Sequence, residues 1–296
     1  MNTVLVVNPF ASRVTEEKLA AVERELSRVT ELTVVRTERP RHATELVGDA
    51  CRGRSDAIVV YSGDGGFNEA LNGLHAEVPI GFVPGGGANV LPRALGLPAD
   101  PVAAARQIAE AIEERRTRRI SLGSVNGRRF AFSAGVGLDA EAVRRVDGMG
   151  RAQDGRRPGD LAFALAVVRA LAANRGHVEP ALEISGLGRA AFAFVANGSP
   201  YTYAKGIPLP IVPDADFELG LDVVAPVRVR RRSLVRTAYA LLRGHPRGRD
   251  VLYGHDLDRV EILCDEPMPL QADGEDLGDV QRVVFEAQRG AVSVLA

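Results

Sequence analysis

The stretch Tyr61-Ser62-Gly63-Asp64-Gly65-Gly66-Phe67-Asn68-Glu69 follows the apolar run Asp56 to Val60 and leads into a helix-like segment ending near His75. Strand, glycine-rich turn and helix in that order aim backbone N–H groups and a helix N-terminus at an anion, so the segment reads as a phosphate-binding corner. The carboxylate inside it narrows the chemistry. Asp64 would repel a phosphate unless a cation or a hydroxyl lay between them, which points to phosphoryl transfer rather than simple anion capture. A second glycine-rich turn, Gly85-Gly86-Gly87-Ala88-Asn89, follows the run Ile80 to Pro84. One such turn needs no ligand, because any tight turn with positive φ wants glycine. Two of them at corresponding strand ends, with Asn68 and Asn89 a few residues into each, favour a site. Neither matches the Walker A pattern, and Gly63 to Asn68 fails the G-x-G-x-x-G dinucleotide fingerprint at its last position.

The elements that must hold these turns follow from hydrophobic period. Over the first 120 or so residues, short β-rich runs alternate with amphipathic helical ones. Val4 to Val7, Leu32 to Arg36, Ile58 to Val60 and Ile80 to Pro84 read as strands. Thr15 to Val29, Ala43 to Cys51 and Pro101 to Arg116 read as helices. This is a βαβα pattern, which predicts a parallel sheet covered by helices with ligands beyond the strand C-terminal ends. Both glycine turns fall there, as do Asn8-Pro9 and Thr37.

After Arg119 the texture becomes short strands joined by turns, opening with Ile120 to Val125 and Arg129 to Ala134 around Asn126-Gly127, a type I′ hairpin dipeptide. Further strands are expected at Ala181 to Ile184, Ala191 to Ala196, Leu221 to Val224, Val251 to Tyr253, Arg259 to Leu263, Pro269 to Ala272 and Val280 to Phe285. Helix-like stretches lie at Gly159 to Ala173 and Arg230 to Arg243. The expected fold class is therefore α/β plus β: an N-terminal α/β parallel-sheet domain over 1–118 and a β-sandwich domain over 119–287, with the segment 288–296 a candidate to rejoin the first.

Composition excludes several function classes. With 37 basic and 38 acidic residues the net charge is -1, which carries no overall nucleic-acid signature. Lys18 and Lys205 are the only lysines, and the arginine excess reads as compositional bias. Cys51 and Cys264 stand far apart, outside any zinc or disulfide spacing. The five histidines (42, 75, 177, 245 and 255) form no ligand or triad spacing. The N-terminus enters a strand at once, without a secretory pattern, and no run reaches the ~18 apolar residues of a membrane span. A cytoplasmic protein, at most peripheral to a membrane, is expected.

Asn8-Pro9, Gly63-Asp64-Gly65 and Pro84-Gly85-Gly86-Gly87-Ala88-Asn89 together resemble the catalytic module of the diacylglycerol kinase family of lipid kinases, relatives of sphingosine kinases and more distantly of NAD kinases. The resemblance continues, in chain order, through Thr37 with Ala43, Asn68-Glu69 with Leu71-Asn72-Gly73, Arg93 to Pro98, Ser133 to Asp139, and Asp273-Gly274-Glu275. It implies an ATP site in the cleft between the domains, magnesium as cofactor, and a lipid acceptor met at a membrane surface. It assigns Glu275 as general base and gives Asp64 the arrangement of the acceptor hydroxyl or the metal. Nucleotide contacts carried over are Asn8, Pro9, Ser12, Thr37, Ser62, Gly63, Gly65, Gly66, Asn68, Gly86, Gly87 and Asn89. The chemistry is consistent, since phosphoryl transfer to an alcohol needs cover for phosphate charge, a metal, and a carboxylate to accept a proton.

The departures are specific. Ser62 stands where glycine is usual, and Gly66 and Gly87 stand where threonine is usual, so two phosphate-facing hydroxyls are expected to be missing at about 1 kcal/mol each. The family's structural magnesium segment matches Pro213 to Gly220, with Asp216 and Glu218 as candidate ligands, although clustered loop acids are more often only solvated. Without the resemblance, Glu275 would read as a surface carboxylate after a turn. The basic run Arg228 to Arg249 suits an anionic membrane surface, although such a run is more often a helix that packs its Leu face on the sandwich and solvates its Arg face. A long-chain-base kinase, an NAD-kinase-like enzyme and a non-catalytic nucleotide- or lipid-binding relative remain open, as does a homodimer.

Overall fold

The computed structural model describes residues 1–148, 177–200, 202–204, 207–209, 211–230 and 250–296. These residues divide into two compact units, Met1–Ile120 with Gly290–Ala296, and Ser121–Arg289. The expected helix at Gly159 to Ala173 lies outside the described residues, as do the Arg230 to Arg243 helix and the basic run beyond Arg230. No helix among the described residues is long and apolar enough to cross a membrane.

In the first unit β1 (Asn2–Val7), β2 (Glu31–Arg36), β3 (Ala57–Ser62) and β4 (Ile80–Pro84) form a parallel sheet in the order β4-β3-β1-β2. Every residue of β3 and β4 is buried, as expected of strands covered on both faces. The helices are α1 (Glu16–Leu26), α2 (His42–Arg52), α3 (Asp64–Gly73), the single-turn α4 (Val90–Ala94) and α5 (Pro101–Glu113). Thr15 caps α1 by accepting from Lys18 N, and Leu19, Val22 and Leu26 make its buried stripe. Asp100 caps α5 in the same way, with Pro101 at the first helical position. Helices α2 and α3 approach closely at Gly73, where a Cβ would lie 2.9 Å from Thr44 C, and Thr44 Oγ1 donates to Glu69 O at 2.8 Å. The core includes Phe67 and Phe82 edge to face, with centroids 5.2 Å apart.

The strand β5 (Arg118–Val125) begins the second unit's antiparallel part and pairs with β6 (Arg128–Phe130) across Asn126-Gly127, both at positive φ (51° and 76°). Then come β7 (Ser133–Val136), α6 (Leu138–Gly148), β8 (Leu182–Ile184), β9 (Gly188–Ala190) and β10 (Ala193–Ala196). The small hairpin β11 (Thr202–Ala204) and β12 (Ile207–Leu209) precedes β13 (Leu221–Pro226), β14 (Val251–Leu257), β15 (Arg259–Ala272) and β16 (Glu275–Val294). The pairing order β14-β13-β10-β7-β15-β16 has β8 attached to β15, and β9 to β8. Packed between the layers are Phe130, Val136, Leu182, Ile184, Val195, Val223, Ile262, Leu270 and Phe285. This is the β-sandwich.

Two features depart from the local pattern. Arg259 to Leu263 and Pro269 to Ala272, expected as separate strands, are one strand whose register shifts between Leu263 and Met268. Before the irregularity it pairs with β8, and after it with β7. Such a bulged corner lets one strand serve two layers and hides its continuity from sequence. The helix α6 was not anticipated. Gly137, at φ 92°, ends β7, and Asp139 and Glu141 stand in the first turn of the helix. Strand β16 also runs well beyond Val280 to Phe285; its last residues belong to the first unit, where Val294 pairs with Ile80.

Candidate functional site

In the first unit, the candidate residues gather at the C-terminal ends of β1, β3 and β4. The Asn8 N–H donates to Tyr61 O at 2.9 Å, and Asn8 Oδ1 accepts from Phe10 N at 3.0 Å, which folds the Asn8-Pro9 loop over the end of β3. Arg13 N donates to Gly85 O at 2.9 Å and Gly85 N to Ser62 O at 2.7 Å, tying three strand ends together. Ser12 is exposed on this loop. Thr37 is buried at the end of β2, its N–H on Val7 O at 2.8 Å.

The two glycine turns meet backbone to backbone. A Cβ at Gly63 would lie 3.1 Å from Gly86 Cα, and one at Gly86 would lie 2.7 Å from Gly63 Cα, so Gly86 requires glycine and Gly63 packs tightly against it. Gly65 and Gly87 instead have nothing within 4 Å of where a Cβ would stand, and both are exposed. Gly66 differs again. A Cβ there would overlap Ser62 Oγ and lie 2.8 Å from Ser62 Cβ, with Asn8 Nδ2 at 3.9 Å. Ser62 itself is 1% exposed, and its hydroxyl has no hydrogen-bond partner.

Other motif residues turn out to build the loops. Asp64 Oδ1 accepts from Val90 N at 2.7 Å and Leu91 N at 3.3 Å, so this carboxylate serves the start of α4. Asn89 sits at φ 49°, and its amide closes on Gly86, accepting from Gly86 N at 2.7 Å and donating to Gly86 O at 2.8 Å. Asn68 is 3% exposed, and its carbonyl groups accept from Asn72 Nδ2. A cavity of about 370 Å³ lies at the opposite, N-terminal, ends of the strands, lined by Met1, Asp56, Ala57, Pro79 and Leu295 among others. None of the candidate residues borders it.

The second unit places Glu275 as the first residue of β16, directly after the Asp273-Gly274 turn, whose φ values are 46° and 78°. Glu275 Oε2 is 2.6 Å from Arg128 Nη2, with both side chains partly exposed. Asp273 holds the turn in place: its carboxylate accepts from Ala131 N at 2.6 Å, Phe132 N at 2.9 Å and Ser133 N at 3.2 Å. Gln271 braces it from below, accepting from Gly274 N at 3.0 Å and donating to the buried Asp139 at 2.6 Å. Arg144 of α6 bridges Asp276 and Asp279, and the guanidinium holds the Asp276 carboxyl below the usual range. Sequence reading missed Arg128, Gln271 and Arg144, since their partners are distant in the chain.

Asp216 and Glu218 are exposed in a turn, Asp216 Oδ1 accepting from Glu218 N at 2.8 Å. Among the described residues no group of three His, Cys, Asp or Glu side chains is placed to hold a metal ion. A magnesium ion that travels with a nucleotide needs only one or two protein carboxylates besides phosphate and water. The open glycines and the unpartnered Ser62 hydroxyl at the start of α3 suit a phosphate group.

The model of the diacylglycerol kinase catalytic domain matches residues 2–125, and that of the YegS C-terminal NAD kinase beta sandwich-like domain matches residues 132–296. A diacylglycerol kinase of Bacillus subtilis is 28% identical over 253 residues, covering 80% of this chain and 79% of that protein. One from Staphylococcus saprophyticus is 37% identical over 111 residues, 34% of this chain and 35% of the relative. Among solved structures, a diacylglycerol kinase from Bacillus anthracis superposes with a TM-score of 0.72 at 19% identity, covering 99% of this chain and 96% of its own. An NAD kinase from Archaeoglobus fulgidus in complex with ATP gives 0.54 at 15% identity, covering 99% and 93%. At these identities the structures share the fold. With matched models on the α/β sheet and on the β-sandwich in turn, the chain belongs to the diacylglycerol kinase family of lipid kinases.

Proposed function

We propose that the protein is an ATP-dependent lipid kinase that phosphorylates a hydroxyl of diacylglycerol or a closely related lipid. The observation that carries this reading is the pair of glycine turns joined at Gly63 and Gly86 at the ends of parallel strands, with Gly65 and Gly87 left open. That arrangement offers backbone N–H donors and the N-terminus of α3 to phosphate oxygens. Magnesium-bound ATP, when present, supplies the transferable phosphoryl group. Glu275 would take the proton from the lipid hydroxyl as that oxygen bonds to the γ-phosphorus and the bond to the β–γ bridging oxygen breaks, releasing ADP, and Arg128 fixes the direction of the Glu275 carboxylate. Asp64, through the start of α4, keeps the second glycine turn in register with the first. The acceptor is met at a membrane surface, where the arginine-rich run after Arg228 supplies positive charge.

The test is transfer of label from γ-labelled ATP, with magnesium, to mixed micelles carrying diacylglycerol or a long-chain base, with NAD as a soluble acceptor in parallel. Label in diacylglycerol that disappears in Glu275→Gln, while that variant melts like the wild type, is the expected result. Label in NAD, or none anywhere from a protein that binds ATP, would overturn the reading.

A further inference from the structure

Ser62 closes β3 and Gly66 lies in the first turn of α3, and the two positions share one volume. A side chain at 66 would overlap Ser62 Oγ and come within 2.8 Å of Ser62 Cβ, so only one of the two can carry a side chain in this backbone. The serine that occupies the space is 1% exposed, and its hydroxyl has no hydrogen-bond partner. A buried hydroxyl left unpaired costs free energy, so its retention calls for an acceptor that arrives from outside. The hydroxyl stands at the N-terminus of a ten-residue helix, where unsatisfied N–H groups and the positive end of the dipole favour an anion. Asn8 Nδ2 lies 3.9 Å from where a Cβ at position 66 would stand and adds a further donor beside it.

We infer that Ser62 is the side-chain donor to a phosphate oxygen at the start of α3, and that position 66 is glycine because Ser62 has taken its side-chain space. The inference rests on the nucleotide reading above and deepens it. The hydroxyl absent from position 66 is supplied from position 62, so Ser62 and Gly66 form one exchangeable unit, and of the two missing hydroxyls only the one at position 87 is a net loss. Gly87, with open space around it, has no such counterpart.

The experiment measures binding of ATP with magnesium, and of adenosine, to the wild type, Ser62→Ala, Gly66→Thr and the double variant Ser62→Gly/Gly66→Thr, with a thermal melt of each. Ser62→Ala is expected to melt at or above the wild-type temperature, because it removes an unpaired buried hydroxyl, yet to bind ATP about tenfold more weakly. Its affinity for adenosine should not change. Gly66→Thr alone should lower both melting temperature and ATP affinity, and the double variant should recover both. The inference is overturned if Ser62→Ala binds ATP like the wild type, if ATP and adenosine weaken equally, or if the double variant is no better than Gly66→Thr. Because binding is read directly, a wild type that phosphorylates no lipid but shows this pattern loses the kinase reading and keeps the Ser62 assignment. A wild type that binds no ATP loses both.

Discussion

Replacing Asp273 by asparagine should destabilise the second unit by about 2–4 kcal/mol without disturbing the turn it occupies. The residue sits at φ 46° before Gly274 at 78°, a left-handed pair that asparagine adopts as readily as aspartate. The substitution therefore isolates the carboxylate. Its Oδ1 accepts from Phe132 N at 2.9 Å and Ser133 N at 3.2 Å, and its Oδ2 from Ala131 N at 2.6 Å. An asparagine carbonyl can keep the first two bonds in weaker, uncharged form. Its amino group then faces the Ala131 N–H, donor against donor. One charge-assisted bond lost, at roughly 1.5–3 kcal/mol, plus the weakening of two more sets the magnitude. Asp273→Ala removes the acceptors of all three bonds and adds about 1–2 kcal/mol for the left-handed backbone, so it should cost clearly more. Urea unfolding followed by circular dichroism reads both variants against the wild type. An asparagine variant within about 0.5 kcal/mol of wild type, the typical scatter of a neutral surface change, would refute the capping role. So would equal losses for asparagine and alanine.

Gly86→Ala should be strongly destabilising, because its Cβ would stand 2.7 Å from the Cα of Gly63 and backbone cannot yield as a side chain does. Gly87→Thr, with nothing within 4 Å, should change stability by no more than about 0.5 kcal/mol; thermal melts of the two variants check the contrast, and similar losses would show that the turns do not meet as described. The fully buried Asp222 lies 2.9 Å from His255 Nδ1 and, with Asp214 and Asp256 nearby, raises the histidine pKa above its ordinary 6.5. The stabilisation from this pair is complete below about pH 6.5 and is lost as pH rises through the raised pKa. Melting temperatures of wild type and His255→Gln across pH 5.5 to 9, at constant ionic strength, should therefore converge towards high pH, and a pH-independent difference would contradict this. The histidine ring is 44% exposed, so the effect will be modest and should shrink in salt.

Much of the first unit was legible because its signals are local. The alternation of apolar runs and amphipathic helices locates β1 to β4 and α1, α2, α3 and α5 to within a few residues, and the glycine turns mark the strand ends where α/β sheets bind ligands. The turn dipeptides Asn126-Gly127 and Asp273-Gly274 announce their hairpins for the same reason, as both need positive φ. What misled was again local. The interruption of β15 by Pro267 and Pro269 reads as two strands until its two partners, β8 and β7, are known. The stretch after Gly137 carries good helix formers such as Ala140, Glu141, Ala142 and Arg144, but it follows a short strand in a β-rich region, and packing on β15 and β7 is what marks α6.

The sequence by itself determined the family, the two-part organisation, the α/β and β character of the parts, and which turns could meet phosphate. Composition, period and turn chemistry act over a few residues and need no knowledge of distant partners. Only the tertiary structure decided what each motif residue does. Asp64 reaches a backbone N–H 26 residues on, Glu275 an arginine 147 residues back, and Gln271 an aspartate 132 residues back. Ser62 and Gly66 look like two separate departures in the sequence, one hydroxyl gained and one lost, and prove to share one volume in space. Pairings of that kind depend on the register between β3, α3 and their neighbours, which is fixed by close packing of the whole core and is not written in any single segment.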